Sequence, residues 1–276
     1  MLVNLNEVLP QAREAKKGVG LFNTLNTEMA RGVIAAAEEK NCPVIVGTAE
    51  VLLPYTPLEV IADMLLPMAE RASVPVVVHF DHGLNRSQCI RALQLGFSSI
   101  MYDCSTVPYD ENKDRVKEMT SIAHAYNATI EAELGHVGNN EDSDDQDPTS
   151  YYTDPVQAKE YSDHTGIDAL AIAVGTAHGP YKLPPKLDFA RIEEIAGMIP
   201  TPLVLHGGSG LSDEDFRHAI ASGISKVNIF TDINAAYAKA AEKELAAGHC
   251  TGTDMMNGLM NAVKEETKKK MELFGW

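Results

Sequence analysis

Eight short apolar runs, each followed by a loop and a segment of helical spacing, predict a (β/α)8 barrel. The 276-residue length suits that architecture. An open doubly wound sheet, with roughly six strands, would instead carry a G-x-G-x-x-G turn after its first strand, and the sequence has none there.

The predicted strands are Gly18 to Phe22, Pro43 to Gly47, Pro75 to His79, Ser98 to Met101, Ala128 to Ala132, Ala169 to Val174, Pro202 to His206 and Lys226 to Ile229. Val76, Val77 and Val78 show the reason most clearly, because consecutive β-branched residues suit a parallel strand buried on both faces. Helical spacing fills the intervals at about 26–40, 57–72, 86–95, 111–126, 155–165, 188–198, 212–222 and 233–246. Two stretches fall outside the alternation. Residues 136–154 form a polar, acidic segment too long for an ordinary βα turn, which predicts a mobile active-site loop. Residues 255–274 space Met, Leu and Val against Lys268, Lys269 and Lys270, predicting a C-terminal amphipathic helix. The expected organisation is one barrel domain over residues 1–276, with that loop and that helical extension.

Composition narrows the partners. With 23 Lys+Arg against 39 Asp+Glu the formal charge is −16, which argues against nucleic acid and anionic membranes. An anionic small molecule would then need a local positive site. Cys42, Cys89, Cys104 and Cys250 form no C-x-x-C pair, so neither a disulfide framework nor a thiolate zinc site is expected. Together with an N-terminal segment lacking signal-peptide character and no run of membrane-spanning length, this predicts a soluble, cytoplasmic protein.

In such a barrel, chemistry comes from the carboxyl ends of the strands. Those ends carry Asn23, then Asp81 and His82, Asp103 in the fourth strand, Glu131 and Glu133, His178, His206 and Asn228. His82, His178 and His206 converge on one rim if the barrel is right, and three neutral imidazoles with an open fourth position suit a catalytic Zn2+. His79 reads as support for a neighbour. His124, His164, His218 and His249 fall on helices as solvated residues, and His136 opens the acidic loop without an assigned role. Gly175-Thr176-Ala177-His178-Gly179 and His206-Gly207-Gly208-Ser209-Gly210 let backbone amides approach an anion. Ser212 then caps a helix beside the second glycine segment, and Ser209 and Thr231 could complete a phosphate site.

These motifs carry a family likeness. His79-Phe80-Asp81-His82, Met101-Tyr102-Asp103-Cys104-Ser105, Glu131-Ala132-Glu133-Leu134-Gly135 with Gly138 and Glu141-Asp142, the two glycine segments with Leu211, and Val227-Asn228-Ile229 with Thr231 occur in order over residues 20–235. The chain resembles the class II, zinc-dependent ketose-bisphosphate aldolases, especially the shorter members that include tagatose-bisphosphate aldolases. The resemblance implies zinc on His82, His178 and His206, with Glu133 as an alternative ligand. It implies Asp81 for the C4 hydroxyl proton, Glu141 for the C3 proton and Asn228 against the enediolate. It also implies phosphate binding by Gly179, Gly207, Ser209 and Thr231 with a monovalent cation (Na+ or K+), and a homodimer or homotetramer. Asn23 and Gly208 join the expected substrate contacts, and His79, Asp103 and Glu131 the supporting shell.

Phe230, Ala49 and Asn140 depart from the family pattern near the phosphate and distal parts of the pocket, leaving the sugar open. Fructose or tagatose bisphosphate, a ketose monophosphate and a dehydro-deoxy sugar acid phosphate share one half. No Schiff-base lysine is expected, since Lys226 begins the last predicted strand. A metal-dependent hydrolase and a noncatalytic sugar-phosphate-binding barrel are the alternatives.

Overall fold

The computed structural model describes residues 1–137, 152–177 and 185–276. Its strands are β1 (Leu2–Val3), β2 (Val19–Asn23), β3 (Val44–Ala49), β4 (Val76–Gly83), β5 (Ser99–Tyr102), β6 (Thr129–Leu134), β7 (Ala169–Ile172), β8 (Leu203–Leu205) and β9 (Ile224–Ile229). Strands β2 to β9 pair in parallel with their sequence neighbours, and β2 also pairs with β9, in register from Val19↔Lys226 to Phe22↔Ile229. That last pairing closes the sheet into the eight-stranded barrel the alternation predicts.

The helices are α1 (Leu9–Glu14), α2 (Thr27–Lys40), α3 (Leu58–Arg71), α4 (Arg86–Leu95), α5 (Tyr109–Ala125), α6 (Pro155–Thr165), α7 (Phe189–Met198), α8 (Asp213–Ser222), α9 (Thr231–Ala246) and α10 (Gly252–Leu273). Those from α2 to α9 match the predicted segments to within two residues at either end. Local chemistry explains several ends. Asn26 caps α2, Asp154 caps α6 with Pro155 in its first turn, and Ser212 and Asp215 form a reciprocal capping box on α8. Left-handed residues Asn41, Gly96 and Gly166 stop α2, α4 and α6.

Period-two alternation divides the buried side chains into two sets. One set faces the helices and includes Phe22, Val44, Val46, Val76, Val78, Ile130 and Leu203. The other fills the barrel interior with Val19, Leu21, Ile45, Val77, Ala169, Ala171 and Val204. Leu5, Val8, Leu9 and Ala12, on the N-terminal segment that includes α1, pack against this interior set and floor the barrel. The eight-run pattern did not predict that floor, although those positions recur at helical spacing behind an Asn4–Glu7 capping box.

Helix α10 lies on α2 and α9, burying Leu259, Val263 and Met271. Its lysines do not share one outer face as predicted. Lys270 turns inward and pairs with Asp232 at 2.6 Å, Lys268 reaches Glu39, and Lys269 alone of the three stays largely exposed. Among the described residues no helix is long and apolar enough to cross a membrane. The four cysteines are free thiols, three of them buried.

Gly47 shows how tightly β3 meets β4. A Cβ there would overlap the His79 carbonyl oxygen across the pairing, so only glycine fits. Gly47→Ala should therefore lower unfolding stability by about 1–3 kcal/mol, the usual cost of overpacking. Urea denaturation checks this, and an unchanged midpoint would refute the contact.

Candidate active site

The same alternation that fills the interior with Leu21, Val77 and Val204 brings polar side chains inward one step nearer the carboxyl rim. Leu21 is followed on its face by Asn23, Val77 by His79 and Asp81, and Val204 by His206. On β6 the inward series is Thr129, Glu131 and Glu133, and on β9, beyond a register shift against β8, it is Lys226 and Asn228. All of these polar groups are buried, and they meet one another instead of water.

Asp81 is the junction. Asn23 Nδ2 donates to its Oδ2 at 2.8 Å, and Asn228 Nδ2 to its Oδ1 at 3.0 Å. Burial raises the Asp81 pKa, but the positive charge of His82 and then Lys226 overcomes this and holds it well below the usual carboxylate range. His79 donates or accepts at Ser99 Oγ, 2.7 Å away, and burial drives its pKa down to about 3, which keeps the ring neutral.

His206 is wedged between acids. Its Nε2 lies 2.9 Å from Glu131 Oε1 and its Nδ1 3.2 Å from Glu133 Oε2. Burial would lower its pKa, yet its hydrogen bonds to Glu131 and Glu133 carry it up to about 10. Two carboxylates on one buried ring demand a positive charge between them.

His82 reaches the cluster by an irregularity. Since Asp81 points inward, regular alternation would turn His82 toward the helices. Its backbone instead adopts φ +43°, in the left-handed region, and the β4–β5 register shifts between Phe80 and Gly83. The ring thus lies 4.5 Å from that of His206, while Nδ1 engages Asp103 Oδ2 at 2.9 Å. Asp103 sits just beyond β5 and not within it as predicted, and its other oxygen accepts the Ser105 amide. Burial pushes its pKa up, but the His82 hydrogen bond and charge bring it far below the usual range.

The structure thus brings together Asn23, His79, Asp81, His82, Asp103, Glu131, Glu133, His206 and Asn228. His178, Gly179 and Glu141, with most of the predicted acidic loop, lie outside the described residues. Gly207 has φ +63° and would clash with the Ala177 carbonyl if it bore a side chain. Gly208 packs against the backbone of Asn228, and Thr231 is the first residue of α9, whose predicted start was two residues later. Lys226, placed by the sequence at a strand beginning, sits mid-strand in β9 and lies 2.8 Å from Glu131 Oε2. The alternation Lys226, Asn228 was the signal for it.

The donors fit a metal ion. Ligand atoms of Asp81, His82 and His206 lie within 4.8 Å of one another, as do those of His82, Asp103 and Glu133. Glu133 Oε2 is buried beside the His206 ring, 3.2 Å from Nδ1, and Asp103 fixes the ring orientation of His82 as carboxylates do for metal-binding histidines. Nitrogen and oxygen donors of this kind suit zinc and similar divalent ions.

A parallel barrel with imidazole and carboxylate donors at the carboxyl ends of its strands defines a metal-dependent barrel enzyme. The chain belongs to the class-II fructose-bisphosphate aldolase family, whose family model matches residues 3–276. It is 41% identical over 248 residues to the fructose-bisphosphate aldolase of Geobacillus stearothermophilus, covering 89% of this chain and 86% of that one. The fructose-bisphosphate aldolase of Staphylococcus aureus (strain Mu50) is 37% identical, with 99% and 97% covered. The crystal structure of the YdjI aldolase from Escherichia coli K12 superimposes with a TM-score of 0.90 at 35% identity, covering 100% of this chain and 98% of that one.

Because Asp103 hydrogen-bonds His82, Asp103→Ala should fold and bind an added divalent metal, with Zn2+ as the probe, about 10–100-fold more weakly. Competition with a chromophoric chelator measures this. Wild-type affinity would show that His82 is not a ligand held by Asp103.

Proposed function

We propose that this chain is a zinc-dependent aldolase that cleaves and forms a ketose bisphosphate, with dihydroxyacetone phosphate as one half. The observation that carries this reading is the buried Asp81 carboxylate, gripped on both oxygens by Asn23 and Asn228 beside the imidazoles of His82 and His206.

Retro-aldol cleavage removes the proton of the C4 hydroxyl as the C3–C4 bond breaks, and the bond electrons move toward C3 and the C2 oxygen. Asp81 takes that proton. Each of its oxygens keeps lone-pair capacity beyond the single amide bond it accepts, and the neighbouring positive charge keeps the carboxylate ionised. Asn23 Oδ1 is buried with no hydrogen bond among the described residues, so it is available to a substrate hydroxyl. His82, His206 and His178, with Glu133 as an alternative ligand, would hold zinc, which would supply Lewis-acid charge for the developing enediolate. Glu141 is assigned to the proton at C3 on the sequence pattern.

The phosphate falls to Gly207, Gly208, Ser209 and Thr231, with Gly179 and a monovalent cation completing its site. Support comes from the two neighbouring helix starts. The N-terminus of α8 is closed by its own Ser212–Asp215 capping box, whereas α9 begins at Thr231 behind Phe230, which provides no side-chain cap. The amides of α9 therefore remain for an anion. Phe230 itself packs, partly buried, against the helix-side core.

Asp81→Ala should fold, retain zinc and lose about 2.7–4 kcal/mol of transition-state stabilisation, or about 10²–10³ in kcat. Coupled cleavage assays over fructose and tagatose bisphosphates, ketose monophosphates and sugar acid phosphates test both the role and the substrate. Turnover near that of the wild type would sink the assignment of Asp81. In the same assays EDTA should abolish cleavage, with zinc restoring it; chelator-insensitive cleavage would exclude the metal-dependent reading.

A further inference from the structure

Lys226 lies in the middle of β9 on the interior face of the barrel, with none of its surface exposed. A buried ammonium is rare because its charge has left water, and its three N–H groups can only donate. Two partners meet it. Its Nζ is 2.8 Å from Glu131 Oε2, across the barrel on β6, and donates at 2.7 Å to Asn228 Oδ1, two residues further along its own strand.

Each partner continues to a different part of the site. Glu131 turns its other oxygen to His206 Nε2 at 2.9 Å. Asn228 turns its Nδ2 to Asp81 at 3.0 Å. The second orientation follows from donor chemistry. An amide has one accepting and one donating end, and an ammonium cannot accept, so Asn228 must face Lys226 with Oδ1 and Asp81 with Nδ2. Without the ammonium Oδ1 loses its donor, and the amide is held at one end only, by the Asp81 carboxylate that its Nδ2 must still serve. The first follows from geometry. With Oε2 fixed on Lys226, Glu131 presents Oε1 to Nε2 of His206, and the opposite ring nitrogen is committed to the side where Glu133 stands, 3.2 Å away.

We propose that Lys226 is a positioning residue shared by the two halves of the site, orienting the His206 ring through Glu131 and the Asp81 carboxylate through Asn228. A lysine serving only to neutralise Glu131 would need no amide partner. The contact to Asn228 links it to the proton-transfer arm. That arm rests on the aldolase reading, whereas the His206 arm needs only the metal site.

The test uses Lys226→Met and the double variant Lys226→Met/Glu131→Gln, in which both buried charges are removed. Zinc affinity is measured by chelator competition, and kcat and KM for ketose-bisphosphate cleavage are measured at saturating zinc. For Lys226→Met, zinc should bind about tenfold or more weakly. Its kcat should fall about tenfold or more while KM moves by less than about threefold, because Lys226 does not reach substrate. In the double variant kcat should stay about tenfold down, since Asn228 Oδ1 still lacks the donor that fixed its position.

A folded Lys226→Met variant that keeps either zinc affinity or kcat within about twofold of the wild type overturns the shared role. So does recovery of kcat in the double variant, which would mean that charge balance was the whole function. If Lys226→Met does not fold, the double variant decides alone through kcat. A wild-type protein that binds zinc but cleaves none of the ketose phosphates refutes the aldolase reading instead. The zinc affinities of the two variants would then still decide the His206 arm.

Discussion

The polar interior depends on one buried ion pair. Lys226 and Glu131 face each other at 2.8 Å with both side chains fully withdrawn from solvent. Removing one member of such a pair costs about 3–5 kcal/mol, because the other charge is left without compensation. Pairs of this kind add little net stability over an apolar replacement, so their presence calls for another reason. Here the reason lies one layer above, where the remaining valences of the pair and of Asn228 orient the imidazole and carboxylate at the rim. Below it the interior is aliphatic, closed by the N-terminal segment and α1. The barrel thus changes from an aliphatic core to a polar network within two inward steps along β2, β4, β6, β8 and β9.

His82 shows a different kind of constraint. A β-strand offers alternate residues to one side, so consecutive Asp81 and His82 could not both serve the same cavity in a regular strand. The structure resolves this with a left-handed residue and a register shift at the strand end. Non-glycine residues in that conformation cost of order 1–3 kcal/mol and survive where surrounding contacts dictate them. For His82 those contacts are the Asp103 carboxylate and the paired strand β5. The strain is the cost of placing the Asp81 carboxylate and the His82 imidazole side by side at one rim.

Much of this was legible in the sequence. Apolar runs separated by helical spacing gave the eight barrel strands, because parallel strands buried on both faces have to be continuously apolar. The strand-end reading found Asn23, Asp81, Glu131, Glu133, His206 and Asn228, since polar residues terminating such runs have few other places to go. Three features were hidden for physical reasons. The floor over Leu5 to Ala12 is too short to stand out against eight repeats. The swing of His82 comes from a backbone dihedral that composition does not encode. Lys226 looked like a strand boundary because a charge normally marks one, and only the opposing Glu131 makes an interior lysine tolerable. Lys270 misled in the same direction, its charge being satisfied by Asp232 rather than by water.

The closing seam between β2 and β9 also governs when the site can exist. The ribosome makes β2 about two hundred residues before β9, and until β9 follows, β2 presents one unpaired edge. Asn23 comes from one side of that seam and Asn228 from the other, and each holds one oxygen of Asp81. A nascent chain with its first strands in place still lacks the second grip, together with Lys226 and the ring of His206. Catalytic competence therefore arrives in one late step, when the sheet meets itself, and half-made barrels carry the buried charges of the site without their partners. Such intermediates gain little by lingering, which ties the completion of the chemistry to the completion of the fold.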